Sequence, residues 1–234
     1  MALVVLKFGG TSLGNTSRIK NICGIIKKYI DQSHTVVVVV SAMGGVTDQL
    51  VSLVRDLSPQ ATGAEYDVVV SSGENVSAGL VALALNNMGV DARSWLGWQL
   101  PIQVNGAHKN GEIDKICTDG ILENIDSGVV PVIAGFQGAR NNEIYTLGRG
   151  GTDTTAVAIA AAINADKCYI YTDVEGVFSS DPRIIPKVKK LDSISFAEIL
   201  EMAENGAKVL HPKAVAIAMH NKTSVEVLSS FTAN

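Results

Sequence analysis

Lys7 closes a short apolar run and is followed at once by Phe8-Gly9-Gly10-Thr11-Ser12. Adjacent glycines let backbone N–H groups approach an anion with no Cβ in the way, and a helix beginning beyond them adds partial positive charge. Lys7 adds a full one, although a Gly-Gly pair after a strand is also an ordinary turn. A second polar cluster, Ser41–Asp48, contains Ser41 and Thr47, and a third is Ser71-Ser72-Gly73-Glu74. Hydroxyls and N–H groups suit a carboxylate and Glu74 suits an ammonium, while helix capping is the plainer reading of both clusters.

The fourth cluster runs Leu147-Gly148-Arg149-Gly150-Gly151-Thr152-Asp153-Thr154-Thr155. Arg149 offers a planar fork for a carboxylate or phosphate, and glycines on both sides make it costly to order for structure alone. Asp153 stands where an Ala-rich stretch begins; as a plain N-cap it would stabilise a helix by about 1 kcal/mol. A fifth cluster, Tyr171-Thr172-Asp173-Val174-Glu175-Gly176-Val177-Phe178, continues to Asp181-Pro182-Arg183. It could enclose a purine and ribose with Arg183 toward phosphates, or be a turn and a loop. Gly206-Ala207-Lys208 places a cation near a helix end, and His211 beside Pro212 reads as structural.

The patterns that are missing narrow the chemistry. There is no GxxxxGK[ST], no GxGxxG after a strand, no Ser/His/Asp arrangement and no Cys/His cage for a metal. Lys, Arg and Gly accumulate, with few groups fit for covalent catalysis. That is the profile of phosphoryl transfer, which needs alignment and charge neutralisation more than a protein nucleophile.

The elements that must position these groups alternate. Leu3–Lys7, the five β-branched residues Val36–Val40, Val129–Ala134 and Tyr169–Tyr171 read as strands buried on both faces. Pro131 argues against a central place for the third of them. Ile19, Ile22, Cys23, Ile26 and Ile30 recur at helical spacing, and the stretch from Asp153 to Ala165 favours helix. Thr47-Asp48 are positioned to cap a helix. Gln103–Asn105 and Glu112–Ile113 read as a hairpin, and Asp67–Val70 fits either a strand or a buried helix. Strands alternating with helices imply an α/β fold with a mainly parallel sheet, and no linker divides the 234 residues. In such sheets ligands bind beyond the carboxyl ends of the strands, where the polar clusters are expected to fall.

Composition sets the class. With 47% hydrophobic and 18% charged residues the chain can bury a core, and a net charge of −4 favours neither nucleic acid nor an anionic membrane. Cys23, Cys117 and Cys168 form no CxxC pair, which fits a reducing compartment. The longest apolar run, Ala156–Ile163, is far too short to span a membrane, and the N-terminal run is interrupted by Lys7. A cytoplasmic location is expected.

Seven stretches in order, KFGGTSLG, VVVVVSAMGGVTD, SSGENVS, VIAGFQG, TLGRGGTDTTAVA, YTDVEGVFSSDPR and GAKVLHPKA, resemble the amino acid kinase family and, within it, the aspartokinase catalytic domain. The resemblance implies a three-layer αβα sandwich, use of ATP and Mg²⁺, and transfer of the γ-phosphoryl to the β-carboxylate of L-aspartate. This is the first step of the aspartate-derived amino acid pathway, which includes lysine biosynthesis. It implies that Lys7 and Asp153 are catalytic, Asp153 orienting lysines. Ser41, Thr47, Glu74, Arg149 and Thr152 would bind aspartate. Lys7, Gly9, Gly10, Thr172, Asp173, Phe178, Asp181, Arg183 and Lys208 would hold the nucleotide. Phe178 stands where the family usually has Tyr and Thr152 where Ser is usual; Leu100–Lys109 matches poorly and receives no role. Residues 1–234 are expected to be a catalytic domain without the ACT domains usual in the family, hence without feedback inhibition by lysine. A homodimer is a further expectation. Two other readings remain open: the same fold acting on another acceptor (glutamate, acetylglutamate, carbamate or a nucleoside monophosphate), or a silent binding subunit. Glu74 favours an acceptor with a free ammonium, and Lys7, Arg149, Asp153 and Lys208 together favour turnover.

Overall fold

The computed structural model describes residues 1–179, 187–205 and 210–232. The first apolar run is β1 (Leu3–Phe8), leading through a 3-10 turn (Gly10–Leu13) into α1 (Thr16–Asp31). Then come β2 (Thr35–Val40), α2 (Val46–Leu57), α3 (Ala64–Asn87) and β3 (Ala92–Trp95). A hairpin of β4 (Ile102–Ala107) and β5 (Asn110–Ile116) precedes α4 (Asp119–Asp126) and β6 (Val130–Ala134). A second hairpin, β7 (Gln137–Arg140) and β8 (Glu143–Thr146), leads to α5 (Gly151–Ala162) and β9 (Lys167–Thr172). Last are α6 (Phe196–Glu204), α7 (Pro212–Asn221) and β10 (Val225–Ser229).

Six strands form one sheet in the order β10-β9-β1-β2-β6-β3, every described pair parallel. The unbroken β-branched run of β2 follows from burial on both faces. Val36, Val38 and Val40 join Val4, Leu6 and Phe8 in a core with Ile22 and Ile26 of α1 and Val81 and Leu85 of α3. Val5, Val37 and Val39 face the other way, against Val157 and Ile159 of α5 and Ala214 and Ala218 of α7. Each fully buried Leu, Ile or Phe in these layers contributes roughly 1.5–3 kcal/mol of transfer free energy. The result is the expected helix–sheet–helix sandwich. The two hairpins make a smaller sheet, β5-β4-β7-β8, with Val104, Tyr145 and Leu147 as its own core.

Four expectations change. Strand β6 is interior, between β2 and β3; Pro131 is tolerated because the β2 ladder begins only at Val132. The stretch Asp67–Val70, left open between strand and helix, is helix, but Ser71-Ser72-Gly73-Glu74 lies inside α3 rather than at a strand end. Thr47 and Asp48 are not caps: α2 starts after Gly45, a left-handed glycine, and both residues sit in its first turn. Asp153 is likewise no N-cap, because α5 begins at Gly151 after Gly150. Helix α3 is long and apolar enough to cross a membrane by composition, but half of that window is buried and it carries the buried acids Asp67 and Glu74. It is a core helix.

The chain passes from β1 to β2 on one side, while β9 takes the other side of β1. The direction of winding therefore reverses at β1, and the crevice beyond its carboxyl end is where an open α/β sheet receives ligands.

Candidate active site

Lys7 is the penultimate residue of β1, 8% exposed, and its Nζ lies 2.7 Å from Oδ1 of Asp153. Asp153 is held in the first turn of α5, where the helix dipole favours a carboxylate. The junction before it depends on Gly150, at φ +67, where a Cβ would stand 2.2 Å from His211 Cβ. His211 caps α7, its Nδ1 accepting from the Lys213 N–H at 3.3 Å. The histidine is structural, as its neighbour Pro212 suggested, and burial lowers its pKa. Gly9 follows the lysine, but its N–H donates to the Tyr171 carbonyl at 3.1 Å. It is therefore engaged in the sheet rather than offered to a phosphate, contrary to expectation. The N–H of Gly10 meets no acceptor among the described residues.

Glu74 reaches the same crevice from the middle of α3. It is 3% exposed; the Ala42 N–H donates to its Oε1 at 3.0 Å, and its Oε2 is buried without a partner. Burial pushes its pKa up to about 7, the Ala42 hydrogen bond opposing the rise only in part. An unpaired buried carboxylate oxygen is costly, and a positively charged donor would relieve it.

Around these groups lies a cleft of about 580 Å³ lined by Lys7, Ser41, Thr47, Glu74, Arg149, Thr152 and Asp153. Seven of the expected residues, from β1, the β2 end, α2, α3, the loop before α5 and α5 itself, thus converge. Arg149 is exposed and has no carboxylate within 4.0 Å among the described residues. The same walls include Asp48, Arg55, Tyr66, Lys109, Phe136 and Thr146, which the sequence reading did not select. Ser71 and Ser72 do not reach a ligand: their hydroxyls donate to the Val68 and Val69 carbonyls of their own helix.

Thr172, Asp173 and Phe178 sit apart from this lining, at and after the carboxyl end of β9. The Thr172 hydroxyl donates to Asp173 at 3.0 Å, and Phe178 forms an isolated bridge with Lys190. Because β9 adjoins β1, these residues stand on the flank of Lys7 away from Glu74. Asp181, Arg183 and Lys208 lie outside the described residues.

The sequence profile described as "Amino acid kinase family" matches residues 2–229. The chain belongs to the amino acid kinase family. A family relative, the aspartokinase of Rickettsia felis, is 52% identical over the whole of this chain, which covers 59% of that protein. Aspartokinase 2 of Bacillus subtilis is 48% identical over 98% of the chain and 57% of its own length. The chain thus spans somewhat over half the length of these relatives. Among solved structures, aspartate kinase from Synechocystis superposes with a TM-score of 0.87 at 44% identity, covering 99% of this chain and 39% of that one. E. coli aspartokinase III in complex with aspartate and ADP superposes at 0.88 and 29% identity, covering 98% of this chain and 62% of that one. The Lys7 ammonium at the end of β1, held by a carboxylate in the first turn of α5, is a fixed positive charge suited to an anionic group.

Proposed function

We propose that this chain transfers the γ-phosphoryl of ATP to the β-carboxylate of L-aspartate, giving 4-phospho-L-aspartate. The observation that carries the reading is the cleft itself. The Lys7–Asp153 pair, and Glu74 Oε2 and Arg149, both unpaired among the described residues, face one space. Those three features complement a phosphoryl group, an ammonium and a carboxylate. The likeness to E. coli aspartokinase III, whose structure contains aspartate and ADP, and to aspartokinases about 50% identical supports the same assignment.

In the reaction a β-carboxylate oxygen attacks Pγ, a new C–O–P bond forms, and the Pγ–O bond to the leaving ADP breaks. A carboxylate has no proton to lose, so no general base is required. Lys7 donates hydrogen bonds to phosphoryl oxygens as charge moves from the attacked phosphorus to the leaving group. Asp153 holds that ammonium in place and takes no proton. Arg149 binds the α-carboxylate, Glu74 the ammonium, and Ser41, Thr47 and Thr152 complete the aspartate subsite. The Gly10 N–H is offered to phosphate, while Gly9 acts by letting the chain turn close to it. Thr172, Asp173 and Phe178 take the ribose and base on the β9 side, with Asp181, Arg183 and Lys208 assigned there by sequence.

Among the described residues no group of three His, Cys, Asp or Glu converges as a metal cage. Asp173, the exposed carboxylate on the nucleotide side, would help to hold Mg²⁺ there. When bound, Mg²⁺ would neutralise negative charge on the nucleotide's phosphates. A place at the head of aspartate-derived amino acid synthesis, lysine included, and a cytoplasmic location belong to the same proposal. The test is ADP release from ATP and Mg²⁺ with hydroxylamine present, using L-aspartate and L-glutamate in parallel. Aspartate-dependent hydroxamate that disappears with EDTA is expected; equal rates with glutamate, or ADP release without hydroxamate, contradict the reading.

A further inference from the structure

The tip of the β4–β5 hairpin, His108-Lys109, lies in the segment to which sequence comparison gave no role, yet Lys109 lines the cleft. Three features hold it there. Asp67 in the first turn of α3 is fully buried, and every bond its carboxylate accepts from the described residues comes from outside α3. His108 Nδ1 lies 2.8 Å from its Oδ2, the Lys109 N–H donates to both oxygens at 3.1–3.2 Å, and the Thr146 hydroxyl donates to Oδ1. His108 is also stacked on Tyr145, with ring centroids 3.9 Å apart. On the other side the Lys109 carbonyl abuts the glycine loop, 3.0 Å from where a Cβ of Gly148 would stand, one residue before Arg149.

The backbone of Lys109 is left-handed, φ +67. For a side chain with no local hydrogen bond to offer, that conformation costs about 1–2 kcal/mol, and glycine or asparagine would avoid it. Of the seven non-glycine residues with positive φ among the described residues, Lys109 and Phe136 line the cleft. Strain retained at a ligand site points to use of the side chain. The ammonium of Lys109 rests 4.3 Å from the ring centroid of Tyr66, and among the described residues no carboxylate lies within 4.0 Å of it. A cation resting on an aromatic face at the mouth of an acidic substrate's cleft is available to a carboxylate.

Building on the acidic-acceptor reading above, we infer that Lys109 is a further substrate-binding residue, a second cation beside Arg149 for the acceptor's carboxylate. Asp67 and His108 are the positioning residues that hold it. The acceptor's α-carboxylate then meets two cations on neighbouring loops, while Glu74 selects the ammonium.

Steady-state kinetics with L-aspartate and ATP test this. Lys109→Met is expected to raise KM for aspartate about tenfold with kcat and KM for ATP within about threefold, and Lys109→Arg to restore most of the loss. Asp67→Asn is expected to raise KM for aspartate in wild type but to add little in the Lys109→Met background, because it acts through the lysine. Thermal unfolding of each variant separates this coupling from a general loss of fold. An unchanged aspartate KM in a Lys109→Met chain that turns over aspartate overturns the inference alone. Additive effects of Asp67→Asn and Lys109→Met overturn the positioning role. A wild-type chain that releases ADP with no acidic acceptor overturns the function and this inference together.

Discussion

Glu74 is the residue whose environment makes the sharpest chemical demand. Its pKa, raised from 4.5 to about 7 by burial, means the folded chain holds a proton that the unfolded chain releases earlier. The group's contribution to stability is therefore full below about pH 4.5 and is lost as pH rises to about 7, on the order of 3 kcal/mol at most. An ammonium in contact with Oε2 would favour the ionised form and restore it. Two outcomes follow: thermal unfolding of Glu74→Gln at pH 8 should occur at higher temperature than wild type, and its KM for aspartate should rise at least tenfold. In wild type the aspartate KM should climb as pH falls below about 7, and this climb should vanish in Glu74→Gln. At Lys7 the expectation is different. Lys7→Ala should lower kcat by about 100-fold or more, the usual cost of removing a donor to developing charge, with a much smaller change in aspartate KM. Glu74 was legible as a candidate site residue from its place beside hydroxyls. The Oε2 without a partner was not, since that depends on how α3 packs against Ala42.

At the scale of elements, the strands were the most legible part. Val36–Val40 could be read as doubly buried because β-branched residues without alternation fit no half-exposed strand, and β2 is buried as expected. Helix α3 was not legible, because its apolar residues surround the helix and leave no polar stripe at helical spacing. Its two buried acids make it the element that ties the hairpin sheet, through Asp67, to the cleft, through Glu74. The loop before α5 was legible as a glycine-enclosed arginine, but the reason for one glycine lies in α7: Gly150 is needed because His211 packs against it. Gly150→Ala should cost about 2 kcal/mol or more from a clash and a left-handed φ, lowering Tm by about 4–8 °C for a chain of this size. Because the same change displaces Asp153, kcat should fall as well; differential scanning fluorimetry with turnover checks both. Lys109 escaped notice because its value depends on a hairpin docking between Asp67 and Gly148, a tertiary contact that no local pattern signals.

For the molecule as a whole, topology explains why residues so far apart in sequence meet. Reversal of strand order at β1 opens the crevice. The connections on one side then bring in Ser41, Thr47 and Glu74, and those leading into α5 bring Arg149, Thr152 and Asp153. Nucleotide and acceptor are thereby assigned to opposite flanks of Lys7, the β9 side and the α3 side, with the transferring phosphoryl between them. In the proposed reaction the acceptor's carboxylate, rather than water, is then the nucleophile. The most direct test supplies L-aspartate labelled with ¹⁸O in its β-carboxylate, with ATP and Mg²⁺, and follows the product by ³¹P NMR. The account predicts an acyl phosphate whose phosphorus signal shows the isotope shift of a bridging ¹⁸O. ADP formation with unlabelled inorganic phosphate as the only new phosphorus species would mean that water is the nucleophile and would contradict it.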